Sequence, residues 1–564
     1  MKFNDYEYVR PDFENVKKQY LNLISDFKNS TTLEEQYSFL KKINALSKEV
    51  ETMSQLVYIR NSINTQDEFY DTEKDYMDMT SPKFQGLRIE FYKELLNSKF
   101  KDELKEKVYP QLITLAEMEI KSFSDEAIPL MQEENKLISE YDKLISSAKI
   151  DFEGKALNLS QMQPYMESKD RKTRKQAYEK WSCFFKKNET KFDLIYDKIV
   201  KVRNEIALKL GFKNFTELGY LRMGRSDYNY KDVEKFREHV LNYIVPISNE
   251  LRQRQAKRID VDKFKYYDIP LDFISGNPAP KGNKEWIMER AKKMYEELSK
   301  ETHEFINFMI DRDLFDLETK PNKQAGGYCT FIYDYKSPFI FANFNGTQGD
   351  VTVVTHEAGH AFQTYQSKDF DSPEFSFPTS ESAEIHSMSM EFITWPWMEL
   401  FFEDDIDKFK FFHLADSLCF IPYGVTVDEF QHVVYENPDM TPDERKKAWR
   451  DIEKKYTPYK DYDDNEFLDK GTFWFKQGHI FSTAFYYIDY TLAQICAYQF
   501  WLKFNENKEQ AWEDYLNICK AGGSKSFLEI IKTGNLQSPF EGNTINSVAS
   551  KIKEYLDKID DMKL

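Results

Sequence analysis

A chain of 564 residues, 41% hydrophobic and 16% aromatic, is too long for one compact core and can fill two or more without disulfides. Its formal charge of −18 would be repelled by a phosphate backbone, which argues against a nucleic-acid partner. The N-terminal segment is polar and no stretch reaches the roughly 18 apolar residues of a membrane span, so a cytoplasmic protein without a membrane partner is expected.

Only Gly86 and Gly154 interrupt the first 160 residues, and the apolar positions there recur with helical period. Pro11-Asp12 opens a stripe of Phe13, Val16, Tyr20, Leu23, Ile24 and Phe27. Similar patterns over Leu33–Ile59, Phe84–Leu96, Leu104–Phe123 and Leu130–Ile145 predict an all-α N-terminal lobe, placed at residues 1–170, with a second helical domain over 171–564. A helical run continues through Leu208. Ser275–Gly282 is a Pro/Gly loop, and one helix is expected from Lys284 to Ile310. Gln324–Gly327 is a turn. Tyr328–Tyr333 and Pro338–Phe344 are the only convincing strands, and helical periodicity resumes from Val351. The five cysteines (Cys183, Cys329, Cys419, Cys496 and Cys519) are scattered, with no Cys-x-x-Cys pair, and read as reduced, buried thiols.

The chemistry concentrates in Val354-Thr-His356-Glu357-Ala-Gly-His360-Ala-Phe362, a His-Glu-x-x-His pattern. On a helix, residues four apart share a face, so both imidazoles can reach one ion while Glu357 stands beside them, free to act on water. Val354, Ala358, Ala361, Phe362 and Tyr365 supply an apolar face to bury the helix. Two imidazoles suit zinc, which needs a third protein ligand and one open position for catalysis. Glu381, Glu384 and Glu391 fall near one face of the following helical segment, and spacing does not choose among them. His386 is turned away from that face and reads as a supporting polar residue.

Four segments resemble the thimet oligopeptidase and oligoendopeptidase F group of zinc peptidases: Gly326–Phe331 with Pro338–Phe344, Thr355–Phe362, Glu384-x-x-Ser387-x-x-x-Glu391, and Gly478-His479 with Phe485–Tyr490. The resemblance covers the C-terminal 240 residues or so. It implies a mainly α, two-lobed helical body around a deep substrate channel, with a small β-sheet beside the active-site helix. It implies one Zn²⁺ held by His356, His360 and Glu384, with Glu357 as general base and Glu391 orienting a ligand histidine. It assigns His479, Tyr486 and Tyr490 to the oxyanion and substrate, with Tyr487 as a substitute for Tyr486. Their spacing, with Thr483, fits one face of a single helix. The strand Pro338–Phe344 resembles an edge strand whose Ala342 and Asn343 pair with an extended substrate, beside a mobile Gly326-Gly327 loop. The implied function is a zinc endopeptidase acting on short peptides. A zinc carboxypeptidase and a silent peptide-binding scaffold are the rivals, the latter having no use for Glu357. No pattern specifies an oligomeric state.

Overall fold

Local capping starts the N-terminal helices where the sequence punctuates them. Asp12 accepts the Asn15 N–H at 3.1 Å and opens helix Phe13–Asn29. Thr32 and Glu35 form a capping box at the head of Leu33–Ile63. Glu68–Leu96, Lys101–Val108, Pro110–Lys121 and Ile128–Ser146 follow. The run expected over Leu104–Phe123 is broken at Tyr109, whose φ of 65° leaves the helical region just before Pro110. The helices up to Lys121 share a separate core of 19 buried residues, of which only Phe375 comes from beyond residue 123, whereas Ile128–Ser146 buries Leu137, Tyr141 and Ile145 in the larger core. A second core of 114 residues holds most of the remaining chain together.

The computed structural model describes all residues Met1–Leu564 and is 71% helical, as the periodicity predicts. Two small sheets interrupt the helices. β1 (Ile150–Phe152) and β2 (Lys155–Leu157) form a hairpin across Glu153-Gly154, both at positive φ. β3 (Phe315–Glu318), β4 (Tyr328–Ile332) and β5 (Ser337–Phe344) form a second sheet in the order β3-β5-β4, with β3 parallel and β4 antiparallel to β5. The helix expected over Lys284–Ile310 is divided at Ser299, which ends Lys284–Leu298 and caps Lys300–Asp311 through Thr302.

The strand expected to be an edge is therefore the centre of its sheet. Ala342 is fully buried, and its carbonyl accepts from the buried ammonium of Lys323 at 2.5 Å. The Asn343 side chain donates to the carbonyls of Gln324 (2.9 Å) and Gly326 (2.8 Å) and so fastens the glycine turn instead of facing substrate. Strand order is a tertiary choice that the residues of one strand do not encode.

After β5 the chain turns at Asn345-Gly346, whose two N–H groups donate to the Asp350 carboxylate at 2.9 and 2.8 Å. That turn launches helix Gly349–Gln366, which carries the histidine motif. None of the cysteines is paired; Cys419, Cys496 and Cys519 are buried as expected, whereas Cys183 and Cys329 are only half-buried. No helix is long and apolar enough to cross a membrane.

Candidate active site

Helix Gly349–Gln366 packs against helix Ser380–Ile393, and Gly359 sets how closely. A Cβ at Gly359 would lie 2.6 Å from both the carbonyl oxygen of His386 and the Cα of Ser387. With hydrogen there instead, the two backbones touch and Glu384 reaches the two histidines on the neighbouring helix.

The side chains of His356, His360 and Glu384 each offer one donor atom, all within 4.8 Å of one another. Glu384 Oε2 lies 3.2 Å from His356 Nε2 and 3.3 Å from His360 Nε2. Donor atoms about 2.0–2.2 Å from a tetrahedral zinc ion lie about 3.3 Å apart, so both Glu384–histidine spacings fit that ion. Glu384 Oε1 accepts from the Tyr486 hydroxyl at 2.5 Å, and Oε2 accepts from Ser387 Oγ at 2.8 Å. Burial opposes its charge, but the nearness of His360 and His356 holds its pKa well below the usual carboxylate range. Glu381 points elsewhere, fully buried beside Arg225.

Glu391 accepts from His356 Nδ1 at 2.7 Å through one oxygen and from His413 Nε2 at 2.7 Å through the other. Trp395 Nε1–H donates to His413 Nδ1 at 3.0 Å, which leaves the His413 proton on Nε2, facing Glu391. The Glu391 contact likewise puts the His356 proton on Nδ1 and turns its Nε2 lone pair toward Glu384. Burial works against the Glu391 charge, and hydrogen bonds from His356 and His413 outweigh it, lowering its pKa. His413 was not singled out in the sequence. It lies 22 residues past Glu391 with no local signature, and only the packing of helix Ile406–Glu436 brings it in. His386 takes no such supporting role. It is fully buried, its ring makes no hydrogen bond, and burial lowers its pKa to about 4, so it is a neutral core residue.

Glu357 is buried with Oε2 unpartnered. Burial raises its pKa, against the opposing pull of His356 and His360. It lines a cavity of about 620 Å³ together with His356, His360, Glu384, Gly326 and Gly327. Gly327 backs directly onto it: a Cβ there would meet Glu357 Oε1 at 3.2 Å.

His479, Tyr486 and Tyr490 line the same cavity, but not from one continuous helix. Helix Gly478–Ser482 ends and Tyr487–Glu506 begins across a break in which Phe485 has φ 65°. Buried cations hold the break open. Arg203 donates to the carbonyls of Phe481 (2.8 Å) and Ser482 (3.1 Å), Arg225 donates to that of Phe485 (2.5 Å), and the Phe485 N–H donates to Gln431 Oε1 at 2.9 Å. Gln477 Nε2 donates to His479 Nδ1 at 2.9 Å, so His479 carries its proton on Nε2 and presents it to Tyr490 Oη at 3.2 Å. Burial lowers the His479 pKa to about 4, which makes it a neutral donor. Tyr487 packs among Phe420, Tyr423 and His479 and does not line the cavity, so Tyr486 is the tyrosine that faces it.

Residues 3–123 match the peptidase M3 N-terminal domain, and residues 164–549 match peptidase family M3. A solved structure titled PZ peptidase A with inhibitor 2 is 54% identical, with a TM-score of 0.99 over 100% of both chains. An oligoendopeptidase F homolog of Borreliella burgdorferi is 24% identical over 69% of this chain and 66% of its own length. Oligopeptidase PepF of Bacillus subtilis is 20% identical over 71% of this chain and 59% of its own length. The aligned portion thus falls just short of two thirds of the first of these two relatives and clearly short of it in the second. The family match spans both the histidine motif and the segment carrying His479 to Tyr490, and the chain belongs to peptidase family M3.

Proposed function

We propose that the chain is a zinc-dependent endopeptidase of short peptides. The observation that carries this reading is the convergence of one donor atom each from His356, His360 and Glu384 within 4.8 Å of one another, with Glu357 beside them. His356, His360 and Glu384 hold one Zn²⁺; bound there, the ion supplies Lewis acidity toward water and the scissile carbonyl.

Glu357 takes the proton of the attacking water and delivers it to the leaving amine. Tyr490 accepts a hydrogen bond from His479 Nε2–H at its oxygen and keeps its own hydroxyl hydrogen to donate to the developing oxyanion. Tyr486 steadies Glu384 and stands next to Tyr490, ring centroids 5.3 Å apart. Gly326 and Gly327 form the wall along which the peptide backbone lies. Residues 1–170 act as a lobe closing the cavity over a catalytic domain of residues 171–564, which admits a flexible peptide and excludes a folded protein.

The test is mass spectrometry of products from a peptide blocked at both ends. Internal cleavage that stops with a chelator and returns with added zinc is expected. Cleavage confined to peptides with a free terminus would favour an exopeptidase, and cleavage indifferent to the chelator would overturn the metal assignment.

A further inference from the structure

Lys476 lines the same cavity as the histidines, three residues before His479. Lys476 is an exposed residue of the cavity wall, and desolvation there, with the charge of Lys460 nearby, pushes its pKa down to about 7. Four other lysines are shifted down by burial: Lys48, Lys323, Lys368 and Lys460. Each of the four donates to an acceptor of the protein: the Phe370 carbonyl, Asp316, the Tyr365 carbonyl and Glu453, respectively. Lys476 alone among the five has no carbonyl or carboxylate partner. Its contacts are the faces of Phe473, 4.3 Å away, and Tyr423, 5.6 Å away. Asp142, on the same cavity, is not within ion-pair distance. A protein with 96 acidic residues thus leaves one crowded cation unpaired, and does so in the space where a peptide would lie.

We propose that the Lys476 ammonium is a binding subsite for a carboxylate of the peptide substrate. The inference rests on the peptidase reading for the identity of the ligand. Phe473 and Tyr423 place the ammonium over their ring faces and offer it no acceptor atom. The two sources of that carboxylate are the C-terminus of the peptide and an acidic side chain. Either would form a charge-assisted hydrogen bond with the ammonium inside the cavity.

Three acetylated peptides separate the sources: one uncharged with a C-terminal amide, the same sequence with a free C-terminal carboxylate, and the amide with Glu in place of one Gln. The zinc-loaded protein is compared with Lys476→Met and Lys476→Arg by kcat/KM on each peptide. Dissociation constants for the same peptides are measured by calorimetry in the Glu357→Gln background, with and without Lys476→Met. We expect a preference of about tenfold for at least one carboxylate-bearing peptide over the neutral amide, falling to near one in Lys476→Met and largely kept in Lys476→Arg. The peptide that shows the preference identifies the source. A preference unchanged by Lys476→Met, or none in the parent protein, overturns the proposal. If no peptide is cut, the peptidase reading fails, while the dissociation constants still decide for or against Lys476.

Discussion

Gly359 lies so close to His386 on the neighbouring helix that a Cβ on the glycine would stand 2.6 Å from the histidine's carbonyl oxygen. The contact is backbone against backbone, so no side-chain rotation relieves it. Gly359→Ala is expected to spread the two helices and draw Glu384 away from His356 and His360. Overpacking of this kind costs about 1–3 kcal/mol. Thermal unfolding and a zinc titration on the variant check it; unchanged stability together with unchanged zinc affinity would contradict the close-contact account.

Glu357 touches neither His356 nor His360 by hydrogen bond, so its carboxylate is dispensable for holding an ion. Glu357→Gln is expected to bind zinc as well as the parent while kcat falls by about 10²–10⁴-fold. Zinc content and kcat measured on the same preparation decide the matter. Near-parental turnover would remove Glu357 from its role.

Glu391 bridges His356 and His413 with two bonds of 2.7 Å. Removing either end of this bridge frees the His356 ring and its tautomer. Glu391→Ala and His413→Ala are each expected to weaken zinc binding by about 10–100-fold, with His413→Ala the milder because the Glu391 bond to His356 survives. Competition with a chelator of known affinity measures the loss, and parental affinity in both variants would show that the bridge does not tune the site.

Tyr490 accepts from His479 and keeps one hydrogen to give. Tyr490→Phe removes that donor while retaining the ring. A loss of about 3 kcal/mol in transition-state stabilisation, a fall of 10²–10³-fold in kcat with little change in KM, is expected. A rise in KM with kcat intact would instead make Tyr490 a ground-state contact.

Glu134 joins the N-terminal helices to the break that carries Tyr486. It accepts from Arg203 Nε at 2.6 Å and Arg222 Nη1 at 2.9 Å, and Arg203 in turn holds the carbonyls of Phe481 and Ser482. Burial opposes its charge, and Arg222 and Arg203 overcome that, bringing its pKa to about 2. A depressed folded pKa means stability that is complete above the unfolded value, about 4.5, and is lost as pH falls toward 2. The group is expected to contribute on the order of a few kcal/mol within that window. Glu134→Gln should flatten this part of the stability–pH curve, and an unaltered curve between pH 5 and pH 2 would contradict the assignment.

The histidine motif was legible because its information is local: four residues make one helical turn, so spacing alone puts two rings on one face. Helix starts at Phe13 and Leu33 were legible for the same reason, through Asp12 and the Thr32–Glu35 pair. Glu384 was not separable from Glu381 and Glu391 by spacing, since the neighbouring side chains decide which carboxylate meets the histidines; the family resemblance singled it out. His413 and the central place of β5 were hidden because each depends on which distant element packs alongside. The break between His479 and Tyr486 left no mark in the periodicity. Its cause lies in Arg203, Arg225 and Gln431, more than 50 residues away in sequence, and Phe485 is not a residue type that announces a positive φ. Ser299 with Thr302 is a local helix-start signal, and Glu153-Gly154 a local signal of a tight hairpin turn.

The most direct test is the zinc content of the purified protein after exhaustive dialysis, measured by plasma mass spectrometry beside His360→Ala and Glu384→Ala. About one zinc per chain in the parent, and essentially none in either variant with the helical content unchanged, is the predicted result. A parent protein that neither contains nor takes up zinc, or variants that retain it in full, would contradict the assignment of His356, His360 and Glu384 as its ligands.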